Sequence, residues 1–447
     1  MSKNQVNSLG LAAVMLLSAL LCVNSSRAEA QPGPASSVAT SGPASSVALP
    51  EIPDRQFNVR DYGAVGDGTK DDADAIQDTI KAASAAKGGS VVIPSGTFLS
   101  SPITMADNIN LHLEEGAVLR MLPVDSYPDP SEGEYTPLIH GYRVHDVAIT
   151  GAGTIQGQGQ RWWEEFREGN LNAQRPEMLC FFRATRLAIQ GVRLEDAPKA
   201  HIDIGRSSDI TIDGVTISAP DESPNTDGID VWGTSIVIKN CTVASGDDNI
   251  AISGNTSNVC VTHCKFTVGH GVSIGSSTKG GVSNVLVDNC QFDRTTNCLR
   301  GKSNPLKGGI VQDLTYSNIT MNNVKYPIRF ESVYEQHLRQ PEQTAAQPAT
   351  ETTPVWRNAK FINITAKVVD KYGAGIIWGL PEAPIENFTF KNVNISAYKG
   401  FKIYYAKGIV FTGDSHIEVP EGKPAFLTYE ATVETEGSQA GSQGASE

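Results

Sequence analysis

The sequence predicts an all-β protein with the fold of a right-handed parallel β-helix. Short runs in which apolar and polar residues alternate recur along residues 147–395 at a nearly regular spacing. Glycine is abundant, with 42 of 447 residues, which suits many short strands joined by tight turns. The 3.6-residue apolar periodicity of amphipathic helices is absent from this region. A period of this length built from strands is typical of a solenoid.

The repeat is visible in nine apolar-x-apolar runs. Their first residues are Val147, Val192, Val215, Cys241, Cys264, Cys290, Ile319, Ile364 and Val393. The successive steps are 45, 23, 26, 23, 26, 29, 45 and 29 residues, and we interpret the steps of 45 as double steps or as coils with inserted loops. Each coil should stack on the previous one with strands about 4.8 Å apart.

Stacking would align equivalent residues into columns that run along the solenoid. Three cysteines of the first column are predicted to be small buried hydrophobes rather than a functional set: Cys241, Cys264 and Cys290. The second strand of each coil gives another column of inward residues: Ile229/Val231, Ile250/Ile252, Val272/Ile274 and Leu299. Inward and outward positions alternate along a strand.

Polar residues lie two positions before the first inward residue of four successive coils. They are Asp227, Asp248, His270 and Asn297. Asp247 precedes Asp248, while Arg300 and Lys302 flank the inward column on its outer side. The sequence therefore predicts that three acids, one histidine and two cations share one face of the solenoid.

An aspartate at a coil corner can simply cap a turn, and Asp213 and Asp230 fit that structural interpretation. The larger constellation does not, because folding gains nothing from three like charges that repel one another. Crowding raises the pKa of one carboxyl, so that it holds a proton near neutral pH. A protonated acid beside ionised partners is the arrangement that glycosidic bond cleavage requires. Arg300 and Lys302 would suit a sugar carboxylate.

The chain ends are predicted to lie outside the catalytic domain. Lys3, the apolar run 9–23 and the Ala28-Glu29-Ala30 pattern predict a cleavable signal peptide at residues 1–30, and hence a secreted or periplasmic protein. Residues 31–54 are rich in proline, serine and alanine and are predicted to be a linker. A single catalytic domain is expected at 55–430, and a disordered polar tail at 431–447.

Composition argues against several classes of partner. The net charge of −13 is not that of a general nucleic-acid binder. The N-terminal apolar run is too short to span a membrane, and no later segment approaches the required length. The C-x3-C spacing at Cys260 and Cys264, without a matching histidine pair, is a poor zinc signal. We therefore expect no metal and no cofactor.

Four segments resemble the signature motifs of glycoside hydrolase family 28, the polygalacturonases and their relatives. They are SPNTDGID (223–230), GDDNIAI (246–252), GHGVSIGS (269–276) and RGK (300–302). Residues 59–80 also resemble the family's N-terminal cap, which implies a short helix of roughly Asp72 to Lys87, ended by Gly88 and Gly89, over the open end of the solenoid. The resemblance extends over about residues 57 to 415.

The resemblance implies inverting hydrolysis of α-1,4-linked galacturonan in pectin, by a monomer. It implies that Asp247 is the general acid, that Asp227 and Asp248 activate the attacking water, and that His270 tunes the acid. Arg300 and Lys302 would bind a galacturonate carboxylate. Tyr326, one coil further in the Asp227 column, would contact sugar, or be a core or corner residue.

Two positions depart from the family pattern. Gly301 stands where an apolar residue commonly separates the two cations, so packing beneath Arg300 and Lys302 is expected to be reduced. Asn249 stands where a cysteine is frequent. Trp162 and Trp163 could stack on sugars, although an anchoring or core role is the stronger expectation. The polar segment 335–354 is expected to be a surface loop that could border the cleft.

Three alternatives to a polygalacturonase stay open. The substrate could be rhamnogalacturonan or xylogalacturonan, since the family includes such enzymes. A pectate lyase also uses a parallel β-helix, but it would need calcium ligands and a base for the C5 proton. A noncatalytic polysaccharide-binding solenoid would release no reducing ends. Endo or exo action, and any disulfide pairing, are not decided by the sequence.

Overall fold

The computed structural model describes residues 42–436. The predicted signal peptide, the first part of the predicted linker and residues 437–447 of the predicted tail lie outside the described residues. Two α-helices are present in the described range: α1 (Ala73–Ala85) and α2 (Gly159–Glu168). The remaining regular structure is almost entirely β-strand.

The strands are numbered in chain order. The first sixteen are β1 Gln56–Asn58, β2 Asp67–Asp71, β3 Gly89–Ile93, β4 Gly96–Ser100, β5 Ile103–Thr104, β6 Ile109–Leu113, β7 Ala117–Met121, β8 Ile139–Tyr142, β9 His145–Gly151, β10 Thr154–Gln156, β11 Leu179–Phe182, β12 Thr185–Gln190, β13 Arg193–Glu195, β14 Ile202–Asp213, β15 Thr216–Ser218 and β16 Ile229–Lys239. The others are β17 Thr242–Ala244, β18 Ile250–Ile252, β19 Thr256–Thr262, β20 Lys265–Val268, β21 Val272–Gly275, β22 Val282–Asp288, β23 Gln291–Asp293, β24 Asn297–Lys302, β25 Ile310–Val324, β26 Tyr326–Glu331, β27 Val355–Val368, β28 Gly373–Trp378, β29 Ile385–Ser396, β30 Lys399–Thr412, β31 His416–Glu418 and β32 Phe426–Thr435.

The strands form a parallel β-helix, which confirms the predicted fold class. Each strand pairs in parallel with the equivalent strand one coil away. Three faces result, because successive strands of one coil belong to different sheets. The first sheet contains the successive strands β8, β11, β14, β16, β18, β21, β24, β26 and β28.

The predicted inward column of the first sheet is confirmed. Ile229 pairs with Ile250, Ile250 with Val272, and Val272 with Leu299. All four side chains are buried in one continuous apolar core that runs through the solenoid. Alternation of apolar and polar residues therefore sets which side chains face outward.

The cysteine column is also as predicted. Cys241, Cys264 and Cys290 are buried on successive coils, and their sulfurs lie near carbonyl oxygens of the neighbouring strand ends. All six cysteines of the described range are free thiols. They fill space in the core, as small hydrophobic residues do.

One assignment in the repeat is wrong. Val147 lies in β9, where it pairs with Leu187 of the second sheet, whereas Val192 precedes β13 of the third sheet. On the preceding coil, the residue equivalent to Val192 is Gly153. The carbonyl of Gly153 accepts a hydrogen bond from the Arg193 amide. Short apolar runs look alike in all three sheets, so spacing alone did not separate them. The second step of 45 residues, from Ile319 to Ile364, is a single coil with an inserted loop.

Helix α1 covers the N-terminal end of the solenoid, as expected. Ile76, Ile80 and Ala83 project from one face of the helix into the core of the first coils. The helix ends before Gly88, whose φ of +113° lies in a region that side-chain-bearing residues rarely adopt. Burial of this helix face closes an otherwise open end of the sheet stack.

Helix α2 is an insertion that sequence periodicity did not predict. It carries Trp162 and Trp163, which are fully buried. The indole of Trp163 donates to the Ala197 carbonyl (3.1 Å), and Trp162 packs edge-on against Tyr127 and Tyr135. Both tryptophans therefore anchor the insertion to the solenoid and are not available to stack on a sugar.

The last strand extends further than the predicted domain boundary. β32 continues to Thr435 and pairs with β30, so residues 431–435 belong to the solenoid instead of the tail. Ala431 and Val433 still pack against the core, which explains why the strand continues. No helix in residues 42–436 is long and apolar enough to cross a membrane.

Candidate active site

The outer face of the first sheet collects the predicted site residues. The amide of Gly228 donates to the Asp248 carbonyl (2.9 Å), so Asp227 and Asp248 lie on adjacent coils. On the next coils Ser273 pairs with Arg300, and Gly275 with Lys302. Strand register therefore brings residues 227 to 302 onto one surface.

Asp248 is the buried centre of this cluster. Its side chain is 2% exposed. Lys302 Nζ lies 2.6 Å from Asp248 Oδ2, while the Ser273 hydroxyl donates to Oδ1 at 2.7 Å. Arg300 contributes a longer contact of 3.4 Å to the same oxygen. Two cations and a hydroxyl therefore fix the orientation of the Asp248 carboxyl group.

Asp247 is more accessible, with 26% of its side chain exposed. His270 Nδ1 lies 3.0 Å from Asp247 Oδ1, and the amide of Asp248 donates to the same oxygen at 2.9 Å. Burial raises the pKa of Asp247, but the contacts with His270 and the charge of Lys302 outweigh it, and the net pKa lies below the usual value. The lowered pKa favours the ionised form of Asp247 at neutral pH.

Asp227 carries the strongest electrostatic conflict of the three acids. Burial, together with the negative charges of Asp247 and Asp248, raises the pKa of Asp227 from 3.8 to about 8. Three carboxyls in one small volume cannot all ionise, so one proton is retained. The raised pKa makes Asp227 the acid of the three that retains a proton near neutral pH.

His201 fixes the backbone of Asp227, a role that the sequence did not indicate. Its amide and its Nδ1 both lie at hydrogen-bond distance from the Asp227 carbonyl, at 2.9 and 3.0 Å. Burial lowers the pKa of His201 to about 4, so the ring is neutral at physiological pH. A carbonyl only accepts, hence Nδ1 carries the hydrogen.

Arg175 holds the loop that precedes Asp227. Its buried guanidinium donates to the carbonyls of Pro198 and Pro224 and to Asn225 Oδ1. Asn225 Nδ2 in turn lies 3.5 Å from Asp247 Oδ2. Arg175 is distant from the four motifs in sequence, so only the fold reveals its contribution.

Asn249 links the coils at the centre of the cluster. Its amide nitrogen donates to the Val268 carbonyl (2.6 Å) and to the Ser245 hydroxyl (3.2 Å), and its oxygen accepts from the Gly271 amide (2.8 Å). The side chain is fully buried. Asn249 therefore fixes the segment of Asp247 and Asp248 against the segment of His270.

Asp230 is not a coil corner. It lies within β16 with its side chain on the outer face, next to the catalytic candidates. Burial, followed by the charge of Asp227, raises the pKa of Asp230 well above its usual value. The position of Asp230 between the inward residues Ile229 and Val231 indicates in the sequence that its side chain faces outward from a strand. Asp213, by contrast, ends β14 and accepts from Asn240 (2.7 Å), as a turn residue would.

The cationic pair is packed from below and from one side. An additional Cβ at Gly301 would lie 2.4 Å from the Phe330 ring and 2.7 Å from the Trp356 ring, so these rings occupy the space of the missing side chain. The expected loss of packing is therefore wrong. Tyr334 covers the pair, with its ring centre 5.4 Å from the Arg300 guanidinium carbon and 5.6 Å from Lys302 Nζ.

Tyr326 follows Asn297 in the predicted column, because the two residues pair directly. Its ring is half-buried, lies 4.8 Å from the guanidinium carbon of Arg329 and packs edge-on against Tyr372. These contacts give Tyr326 a fixed orientation two coils beyond His270. Substrate contact by Tyr326 stays a prediction.

Two cavities of about 560 Å³ each adjoin the cluster. One lies beside Asn225 and is bordered by Lys199, Arg175 and the residues that follow α2. The other lies beside Tyr334 and is bordered by Asn304, Glu382 and the insertion at 335–354. The predicted surface loop therefore does form a wall next to the cationic pair.

Asp247, Asp248 and His270 offer ligand atoms within 4.8 Å of one another, which a cation could bridge. However, both Asp248 oxygens already accept hydrogen bonds, one of them from Lys302. The lysine and arginine supply the positive charge that a cation would bring. The arrangement is suited to proton transfer between carboxyls beside a fixed cationic pair.

Comparison with known proteins identifies the family. The model of glycosyl hydrolases family 28 matches residues 84–411. A probable polygalacturonase of Arabidopsis thaliana is 36% identical over 62% of this chain and 61% of its own length, less than two thirds of that protein. An exopolygalacturonase of Platanus acerifolia is 33% identical over 62% of this chain and 75% of its own length.

A solved structure supports the same conclusion. The polygalacturonase of Erwinia carotovora ssp. carotovora aligns with 88% of this chain and 100% of its own, with a TM-score of 0.62 and 25% identity. Fold, ordered motifs and sequence similarity thus agree. The chain belongs to glycoside hydrolase family 28.

Proposed function

We propose that the protein is a secreted hydrolase that cleaves α-1,4-galacturonosidic bonds of polygalacturonate with inversion of configuration. The observation that carries this proposal is the convergence of Asp227, Asp247 and Asp248 beside Arg300 and Lys302 on one outer face. The names of the similar proteins, polygalacturonase and exopolygalacturonase, favour galacturonan over other pectic polymers.

Asp247 is proposed as the general acid, although the pKa of Asp227 is raised and that of Asp247 is lowered. Of the carboxyls in the GDD segment, Asp247 is the accessible one, so it can reach the glycosidic oxygen. A bound sugar removes water that stabilises the ionised form of Asp247, and a substrate carboxylate adds negative charge. Both effects raise the pKa of Asp247. The proton can then pass from Asp227 to Asp247 as substrate binds.

Asp227 and Asp248 are proposed to activate the attacking water. Once Asp227 has released its proton, both carboxylates can accept hydrogen bonds from one water molecule on the side opposite the leaving group. The water loses a proton to this pair while Asp247 gives one to the leaving oxygen, so the cluster keeps its proton count. Attack from the opposite side inverts the anomeric centre.

Arg300 and Lys302 are proposed to bind the carboxylate of the galacturonate unit next to the scissile bond. Both cations are nearly buried and already contact Asp248. A substrate carboxylate would share these donors, which are held in place by Tyr334 above and by Phe330 below. Tyr326, one coil beyond Arg300 and Lys302, is proposed to contact another sugar of the chain.

Product analysis with wild type and Asp247→Asn tests the proposal. Wild type should release reducing ends from polygalacturonate in the presence of EDTA, without the absorbance of unsaturated uronides that a lyase would produce. Loss of the general acid should lower kcat by about a hundredfold or more. The variant should stay folded, because removal of one crowded charge does not harm the core.

Other outcomes identify the rivals. Faster hydrolysis of rhamnogalacturonan or xylogalacturonan would change the substrate but keep the mechanism. EDTA-sensitive release of unsaturated products would indicate a lyase. Binding without release of reducing ends from any pectin would indicate a noncatalytic solenoid. Unfolding of Asp247→Asn would indicate a structural role for that residue.

A further inference from the structure

A line of outward-facing aromatic residues, of which Tyr142 is exposed and Phe182 and Trp232 are half-buried, runs along the first sheet on the N-terminal side of the cluster. Tyr142 pairs with Phe182, Phe182 with Gly205, and Gly205 with Trp232. The four residues thus occupy equivalent outward positions on successive coils. Tyr142 is 58% exposed.

The same line continues toward the catalytic cluster. β16, which carries Trp232, is followed in the first sheet by β18, β21 and β24, and β24 carries Lys302 at its end. Three coil steps separate Trp232 from Lys302, which corresponds to about 14 Å along the axis. Tyr142 lies three steps further away, about 29 Å from Lys302.

The rings of this line lie against one another. Tyr142 and Phe182 are stacked, with centroids 6.1 Å apart and planes within 5°. Phe182 and Trp232 are 5.7 Å apart, although a whole coil lies between their strands. Gly205 allows this approach, because a Cβ there would lie 2.4 Å from Trp232 Nε1 and 2.9 Å from the Phe182 ring. The glycine lets both rings close over the intervening strand.

Three arginines accompany the rings. Arg143 and Arg183 directly follow Tyr142 and Phe182, and Arg206 directly follows Gly205. The guanidinium carbon of Arg143 lies 5.2 Å from the centre of the Tyr142 ring. That of Arg183 lies 5.7 Å from the centre of the Phe182 ring, and that of Arg206 lies 5.2 Å from the centre of the Trp232 ring. We call these three arginines and three aromatic residues the arginine–aromatic ladder.

The arginines of the ladder have no acidic partner in residues 42–436. None of them forms an ion pair within 4.0 Å, although acidic residues are in excess and the net charge is −13. Asp203 and Asp230 lie on the neighbouring outward line. Burial raises the pKa of Asp203 to about 6 and raises the pKa of Asp230 well above its usual value, so their carboxyls offset little of the positive charge in mildly acidic solution.

We propose that the arginine–aromatic ladder binds a distal stretch of a carboxylated polysaccharide. This inference rests on the proposed function, since the ligand is the polymer that the active site cleaves. Aromatic rings stack on the apolar faces of sugars, and guanidinium groups form paired hydrogen bonds with carboxylates. One polyuronate chain parallel to the solenoid axis can reach both the ladder and Lys302, because they share one line of the sheet.

Binding is tested on the full chain carrying Asp247→Asn, so that turnover does not interfere. Affinity electrophoresis in gels containing polygalacturonate compares this protein with two further variants, Trp232→Ala and the triple change Arg143→Gln, Arg183→Gln, Arg206→Gln. A charge-matched control replaces Lys265, Lys360 and Lys391 by Gln. These are exposed lysines on the other two sheets. Gels with a neutral galactan and with a sulfated polysaccharide test ligand chemistry.

The ladder predicts that both ladder variants weaken binding to polygalacturonate by about tenfold. The lysine control should lose clearly less, and the neutral galactan should bind weakly to every variant. Trp232→Phe, which keeps an aromatic face, should retain more binding than Trp232→Ala. In the otherwise wild-type enzyme, the ladder changes should lower kcat/KM on long polygalacturonate more than on trigalacturonate.

Equal losses for the arginine and lysine variants would overturn the proposal, because attraction would then depend on overall charge alone. Unchanged binding to polygalacturonate in Trp232→Ala would also overturn it. Failure of the proposed function would be seen in a separate measurement. Wild type would then release no reducing ends from polygalacturonate, independently of how the ladder variants bind it.

Discussion

At the scale of single residues, the proton on Asp227 dominates the chemistry of the site. Its carboxyl is crowded by Asp247 and Asp248, and each of these contacts a basic side chain: His270 for Asp247 and Lys302 for Asp248. Within residues 42–436 no basic side chain forms a hydrogen bond with the Asp227 carboxyl, and burial and the neighbouring charges raise its pKa. Retention of one proton at neutral pH supplies the acid that glycosidic cleavage needs.

Asp227→Asn should stabilise the fold in a pH-dependent manner. Between pH 3.8 and about 8 the folded chain binds a proton at Asp227 that the unfolded chain has released, so stability falls as pH rises through this window. The loss of folding stability caused by Asp227 is complete above its folded-state pKa of about 8 and absent below its ordinary pKa of 3.8. The variant should gain at least about 1 kcal/mol above pH 8 and almost nothing near pH 4.

Thermal unfolding of both proteins across this range measures the effect. A gain of equal size at both ends of the range would contradict a raised pKa, and a loss at high pH would mean that the carboxylate is stabilised by its surroundings. Asp213→Asn, which changes an aspartate at a turn, serves as the control and should show no gain confined to high pH.

Gly301→Ile should destabilise the protein by about 1–3 kcal/mol. The added side chain would collide with Phe330 and Trp356, which already fill the position beneath the cationic pair. Denaturant unfolding measures the loss. Phe330→Ala in the same chain removes the nearer ring and should recover part of it. If Gly301→Ile alone were as stable as wild type, the space would be open and the rings would not support the pair.

At the scale of elements, buried hydrogen bonds across coils hold the motifs in register. Asn249→Ala should lower the free energy of unfolding by about 2–3 kcal/mol, since it leaves the Gly271 amide and the Val268 carbonyl without a partner. It should also lower kcat, because Asp247 and His270 lose their common support.

Denaturant unfolding and kinetics on polygalacturonate measure both effects. Asn170→Ala is the control, because Asn170 is exposed and its side chain bonds only to nearby Glu168. Wild-type stability together with reduced activity in Asn249→Ala would indicate a direct chemical role, contrary to the linking role described here.

Much of the fold was predictable from local pattern. In each coil, the alternation of apolar and polar residues predicts which side chains face inward. The inward residues of successive coils are Ile229, Ile250, Val272 and Leu299. Pairing of the strands then follows, because a shift of one residue would turn the apolar set outward. The catalytic candidates were placed correctly for this reason, as they stand at fixed offsets from the inward column.

The features that the sequence did not predict depend on contacts between strands and loops that are distant in sequence. Val147 was assigned to the wrong sheet because short apolar runs are alike in all three sheets. Tyr334 and Arg175 reach the cluster from outside the motifs, so their contacts exist only after folding. Asp230 was misread although its alternation was visible, because aspartate is also common at turns.

At the scale of the whole molecule, the solenoid places residues that are distant in sequence along one face, parallel to its axis. The cluster lies in the middle of the first sheet, the arginine–aromatic ladder extends toward the N-terminal end, and the wall formed by residues 335–354 stands on the other side. A long polymer aligned with the axis would meet these features in order. The three arginines of the ladder, Arg300 and Lys302 follow this path, although the chain as a whole is acidic.

The configuration of the first product tests the central claim most directly. Proton NMR during early hydrolysis of polygalacturonate reports the anomeric form of each new reducing end before mutarotation. Water attack opposite an α-linked leaving group predicts the β-anomer first, with release by Asp247→Asn lowered about a hundredfold or more. Initial formation of the α-anomer, an unsaturated uronide, or undiminished release by the variant would contradict the account.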